Sequence, residues 1–137
     1  MRMIPMMAQN EYSGGTAARK RGGKLAYLSG LAAEGIAERH YESLGRPVIE
    51  NRWRGEAGEI DLIAEDGDTV VFIEVKKSKT FDRAAESLSR RQMERIMIAA
   101  QEYAGRLAAG LLTEMRFDVA LVNAQGDIRI VENAYCQ

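Results

Sequence analysis

The sequence is poor in the residues that fix many small folds by covalent or imidazole chemistry. It has one cysteine, one histidine and two prolines in 137 residues. Cys136 has no second cysteine to pair with, so an intramolecular disulfide is excluded, which agrees with a reducing compartment. His40 alone cannot build a His-based zinc site; it falls in an expected helix and reads as a surface or partly buried residue. No apolar run approaches the length that spans a bilayer. The opening MRMIPMMAQNEYSGG lacks the apolar stretch of a signal peptide. The expectation is a soluble, cytoplasmic protein.

What is present suits a single packed domain. A hydrophobic fraction of 46% is ordinary for a globular chain, and one of this length buries roughly two-thirds of its unfolded surface. Net charge is −1 and the pI is near 5.9, which by itself argues against a nucleic-acid binder. The distribution argues otherwise. From Glu56 to Glu74 every charged residue is an acid, whereas from Lys76 to Arg95 bases outnumber acids. Arg19, Lys20, Arg21 and Lys24 form another basic cluster. An acidic centre flanked by basic segments suits a cation-dependent site that must also hold phosphates.

Residues 1–23 are polar and glycine-rich, and read as a flexible arm before one domain over residues 24–137. Leu25, Leu28, Ala32 and Ile36 recur at helical spacing, predicting a helix from Lys24 to Leu44 that Gly45-Arg46-Pro47 stops. Val48 to Trp53, Ile60 to Ala64 and Thr69 to Val75 read as strands. A second helix is expected from Arg90 to Leu107, with an apolar face of Ile96, Ala99, Ala100, Tyr103 and Leu107. Strands at Phe117 to Val122 and Ile128 to Val131 complete the order α-β-β-β-α-β-β.

The chemistry concentrates in the Asp-Gly hairpin. With an even-length loop, either Asp66-Gly67 or Glu65 to Asp68, Asp61 lies across from Phe72. Alternation then sets Asp61, Glu74 and Lys76 on one face. Asp61 and Glu74 become diagonal neighbours, roughly 7 Å apart, and Glu59 lies opposite Glu74. The same register gathers Ile60, Leu62, Ala64, Val71, Ile73 and Val75 on the other face. Carboxylates opposed on a sheet repel, so a compensating hard cation, Mg²⁺ or Mn²⁺, is expected on Asp61, Glu74 and Glu59. Relief of that repulsion predicts that Glu74→Ala leaves the metal-free fold as stable as before, or more so. Lys77, Lys79, Arg83 and Arg91 are the candidate nucleic-acid contacts.

Gly58-Glu59-Ile60-Asp61-Leu62-Ile63 and Val71-Phe72-Ile73-Glu74-Val75-Lys76 resemble the YraN-like family of small, largely uncharacterised bacterial proteins. That family is grouped with Holliday-junction-resolvase-like nucleases of the PD-(D/E)xK superfamily. Gly30, Glu34, Asn51-Arg52-Trp53-Arg54, Arg91-Gln92 and Arg116-Phe117-Asp118-Val119 extend the resemblance over roughly Lys24 to Val131. It implies an α/β restriction-endonuclease-like core, a central mixed sheet flanked by helices. It implies further that Asp61 and Glu74 bind the metal, that Lys76 is base or stabiliser, and that Glu34 and Gln92 approach from the helices. A homodimer acting on branched or structured DNA follows from the same likeness. Asp118 is left between a role in the site and a bond to Arg116 or nearby backbone. Beside a metal-dependent endonuclease stand two alternatives: a nucleic-acid-binding or scaffold module with little cleavage, and a metal-binding structural domain.

Overall fold

The computed structural model describes residues 16–134, with side chains in the first helix from Ser29 onward. Its elements are α1 (Thr16–Ser43), β1 (Val48–Arg54), β2 (Glu59–Asp66), β3 (Thr69–Lys77), α2 (Phe81–Glu86), α3 (Arg90–Ala104), a 3₁₀ turn (Gly110–Leu112), β4 (Met115–Val122) and β5 (Ile128–Val131). This is an α/β fold with a five-stranded mixed sheet in the order β1-β2-β3-β4-β5. Only β3 and β4 pair in parallel, and the segment carrying α2 and α3 makes the crossover that a parallel pair requires. No helix among the described residues is long and apolar enough to cross a membrane.

Helix α1 starts before Lys24, running through Gly22-Gly23 and into the expected arm. The rest of that arm, residues 1–15, lies outside the described residues. Gly45 ends the helix with φ 76°, a left-handed conformation that glycine adopts without steric cost. The buried stripe of α1 is Ala33, Ala37 and Tyr41, with Ile36 at its edge, while Ala32 is exposed. Two alanines at the contact let the helix lie close to the sheet.

Strand β3 is buried on both faces and organises the core. Val71, Ile73 and Val75 join Leu62, Ala64, Ala120 and Val122 under α1. Val70 and Phe72 point the other way, into a cluster with Ile63, Ala99, Ala100 and Tyr103 of α3. Tyr103 meets Phe72 and Trp53 edge-on, and Phe72 stacks on Phe117. The short α2, which the sequence reading did not anticipate, is capped by Thr80 and seats Ala84 on Val119 and Leu121 of β4.

The hairpin is even, as expected, but displaced. Asp66 pairs with Thr69 and Leu62 with Ile73, so the two-residue turn is Gly67-Asp68, with Gly67 supplying φ 62°. A shift of two residues preserves every face and changes every partner. The β2–β3 pairing stops at Leu62↔Ile73. Beyond it Val75 N–H donates to Asp61 Oδ2 at 2.9 Å instead of to a strand carbonyl. Ile60 consequently does not join Leu62 under α1; it packs with Ile63 and Phe72 on the α3 side. The strands fork at Asp61.

Candidate active site

The fork matters because β3 continues past it. On its α3 side the strand reads Val70, Phe72, Glu74, Lys76, so an apolar row becomes an ionic one at the point where β2 departs. Lys76 is fully buried, and Asp61, Glu74 and Gln92 are nearly so. Burying such groups is costly unless they find partners. They do. Gln92 Nε2 donates to Glu74 Oε2 at 2.9 Å, and Lys76 Nζ donates to Gln92 Oε1 at 2.9 Å. Lys76 Nζ also lies 3.6 Å from Glu74 Oε2. Burial lowers the Lys76 pKa below the usual lysine range, and the charges of Glu74 and Asp61 oppose that shift without cancelling it.

Helix α3 brings Gln92 here through its first turn. Ser89 caps the helix, its Oγ accepting Gln92 N–H at 3.1 Å. Ser-x-x-Gln is the sequence pattern of a capping box, in which the third residue's side chain turns back to the cap. The Gln92 side chain instead reaches across to β3. That pattern was visible in the sequence, and the redirection of its amide was not.

Glu34 is buried on α1, and Arg52 Nε donates to its Oε1 at 3.2 Å. Arg52 holds φ 54°, uncommon for a residue with a Cβ. Next to it Asn51 donates to Glu38 at 2.9 Å. The Asn-Arg pair of β1 thus grips the α1 face carrying Glu34, a role for Arg52 that sequence patterning did not reveal.

Three expectations are corrected. Glu59 is not opposite Glu74, because the displaced turn carries it past; it pairs with Arg54 on β1. Among the described residues no group of three or more His, Cys, Asp or Glu side chains gathers to hold an ion, so Glu59 does not complete a carboxylate cage with Asp61 and Glu74. Lys77 points away from Lys76, as alternation requires, and its Nζ donates to Ser29 of α1, so this candidate nucleic-acid contact stands on the other face of β3. Lys79, Arg83 and Arg91 are exposed.

Asp118 belongs elsewhere. Its carboxylate accepts Tyr41 Oη at 2.7 Å, Arg116 Nε at 3.0 Å and Nη2 at 3.1 Å, and Asn133 N–H at 3.1 Å. Burial first, then Asp118, raises the Tyr41 pKa far above the usual range. Arg116 also reaches Asp66 at 2.8 Å. This network ties α1, β2 and β4 together on the face opposite Lys76. His40 is partly buried beside Tyr41.

Two clustered carboxylates are the protein share that Mg²⁺ commonly takes, water and substrate oxygens completing its shell. The donor chemistry of Asp61 and Glu74 therefore fits a hard divalent cation. A small cleft lined by Gly58, Glu59, Gln92, Arg95 and Ile96 adjoins them.

Residues 33–122, which contain Glu34, Asp61, Glu74, Lys76 and Gln92, match the model of an uncharacterised protein family, UPF0102. The chain is 56% identical over 113 residues to a UPF0102 protein of Cereibacter sphaeroides, covering 82% of this chain and 97% of that one. It is 54% identical to one from Ruegeria pomeroyi, covering 82% and 92%. It is 50% identical to one from Roseobacter denitrificans, covering 87% and 92%. The chain belongs to the UPF0102 (YraN-like) family of bacterial proteins.

Proposed function

We propose that this protein is a divalent-metal-dependent endonuclease with a restriction-endonuclease-like, PD-(D/E)xK core, hydrolysing phosphodiester bonds of branched or structured DNA. The observation that carries the reading is the buried Glu74–Gln92–Lys76 contact beside Asp61, at the fork of β2 and β3. Replacing a buried ion pair by well-packed apolar residues is often neutral or stabilising, so stability gives little reason for this arrangement and a chemical role is the reading it supports. Asp61 and Glu74 are the residues that would hold Mg²⁺ or Mn²⁺. A bound cation supplies Lewis acidity to a phosphoryl oxygen and lowers the pKa of a water. Lys76, its charged form disfavoured by burial, either takes a proton from the attacking water or donates to the developing phosphorane oxygen. Gln92 holds the Lys76 amine in place for either task. Glu34 of α1, bound by Arg52, is the residue that the family likeness adds to this reading. A homodimer would match a two-fold branched substrate, and the cytoplasm would supply the substrate.

The second reading, a nucleic-acid-binding or scaffold module with little cleavage, is favoured by one observation, the net charge of −1. Phosphate contacts dominate affinity for DNA, and an acidic protein has few to offer. Labelled junction, flap, single-stranded and duplex DNA, incubated with and without Mn²⁺, separate the two. Metal-dependent cleavage that Lys76→Met abolishes is the expected result. Binding with no cleavage of any substrate would move the protein to the second reading.

A further inference from the structure

We infer that Arg95 is a phosphate-binding residue, contacting a phosphodiester of the nucleic acid at the mouth of the small cleft beside the candidate active site. The inference rests on the nuclease reading and deepens it. Arg95 stands on α3 three residues after Gln92, and positions so spaced are neighbours on one helix face. Together they line the cleft with Gly58, Glu59 and Ile96. Gln92 is the amide bound to Glu74 and Lys76, so an anion entering the cleft comes within one side chain of the ionic cluster.

Arg95 differs from the other arginines of comparable burial. Arg46, Arg52 and Arg116 each form ion pairs. Arg95 is half-buried, yet among the described residues no hydrogen bond or ion pair engages its guanidinium. A partly desolvated guanidinium without an anion forgoes interaction energy, and its planar fork matches phosphate oxygens in bidentate fashion. Gly58 also lines the cleft. A Cβ built there would meet no protein atom within 4 Å, leaving space that backbone or ligand could use. Glu59 also lines the cleft and has the same sign as a phosphate, so Arg95 is the group there that can attract one.

The test titrates labelled four-way junction and duplex DNA with wild type, Arg95→Gln, Arg95→Lys and Arg129→Gln at several salt concentrations without divalent metal, followed by single-turnover cleavage in Mn²⁺. Arg129 lies on β5 over the Phe81 ring and controls for loss of one positive charge. The expected result is a salt slope lower by about one in Arg95→Gln alone, partial recovery in Arg95→Lys, and wild-type behaviour in Arg129→Gln. If wild type cleaves DNA while Arg95→Gln keeps its affinity and slope, the Arg95 assignment is overturned and the nuclease reading stands. If Arg95→Gln loses the slope while no protein cleaves, the assignment stands and the nuclease reading falls. An equal loss in Arg129→Gln overturns the assignment, because any surface charge would then do.

Discussion

The Gln92 amide donates to Glu74 Oε2 at 2.9 Å while its own oxygen accepts Lys76 Nζ at 2.9 Å. One side chain from α3 therefore sets the position of the acid and the amine two residues apart on β3. Both of its hydrogen-bonding ends are used, so no smaller residue can replace it in both roles.

Gln92→Ala leaves Glu74 and Lys76 each short of a buried partner. The fold is expected to lose about 1–3 kcal/mol, seen as a lower urea midpoint at unchanged slope. A midpoint equal to wild type would mean that these contacts are not made in solution.

For Glu74→Ala the structure reverses the expectation from like-charge repulsion. The carboxylate is buried, paired with Lys76 and bound to Gln92. Its removal takes the paired carboxylate away from a buried amine that keeps only its neutral bond to Gln92 and the more distant charge of Asp61, at a cost of up to about 3–5 kcal/mol, while Glu74→Gln costs less because it can still accept from Gln92. Both variants should lose the rise in Tm that Mn²⁺ gives wild type. A full-sized rise in Glu74→Gln would place the ion on other residues.

Lys76 and the outer bases should act on different steps. Lys76→Met is expected to lower single-turnover cleavage by about a hundredfold or more, with DNA affinity near wild type. Lys79→Ala with Arg83→Ala should weaken binding and flatten its salt dependence, leaving cleavage at saturating protein unchanged. Equal losses of binding and cleavage in Lys76→Met would argue against a transition-state role.

Tyr41→Phe removes a buried 2.7 Å bond to Asp118 without changing shape. A loss of about 1.5–3 kcal/mol is expected, as for hydrogen bonds to charged groups. Cleavage at saturation should not change, since this network lies across the sheet from Lys76. A selective fall in cleavage would join the two networks functionally.

Asp66 gives an acid-side test. Its hydrogen bond from Arg116 holds the carboxyl below the ordinary value of 3.8. A carboxyl depressed in the folded state stabilises it at pH values above the unfolded pKa, and that contribution is lost as pH falls through the folded pKa. Asp66→Asn should therefore be less stable than wild type at neutral pH, with the difference shrinking below about pH 4. A difference independent of pH would assign the effect to packing.

The hairpin shows how far periodicity reaches. Alternation along β3 placed Glu74 and Lys76 on one face and Val71, Ile73 and Val75 on the other, as the structure has them. The turn was displaced by one residue, and every partner by two, because Glu65 to Asp68 offers several even loops and only packing selects Gly67-Asp68. Parity survived that ambiguity; partners did not. Glu59 was accordingly assigned to the wrong neighbour, whereas Ile60 changed cluster because the strands fork at Asp61.

Local chemistry in the sequence determined the five strands, the two longer helices and the acidic-then-basic face of β3, since these depend on residue spacing alone. Three features depend on which segments meet, and only tertiary structure decided them. Asp61 accepts the Val75 N–H because the strands part there. Gln92 abandons its helix cap for Glu74 and Lys76 because α3 lies over β3 at that row. Asp118 serves Tyr41 and Arg116 because α1 covers the opposite face. Hydrogen bonds between residues far apart in the chain have no periodic signature, so their partners emerge only when the helices dock on the sheet.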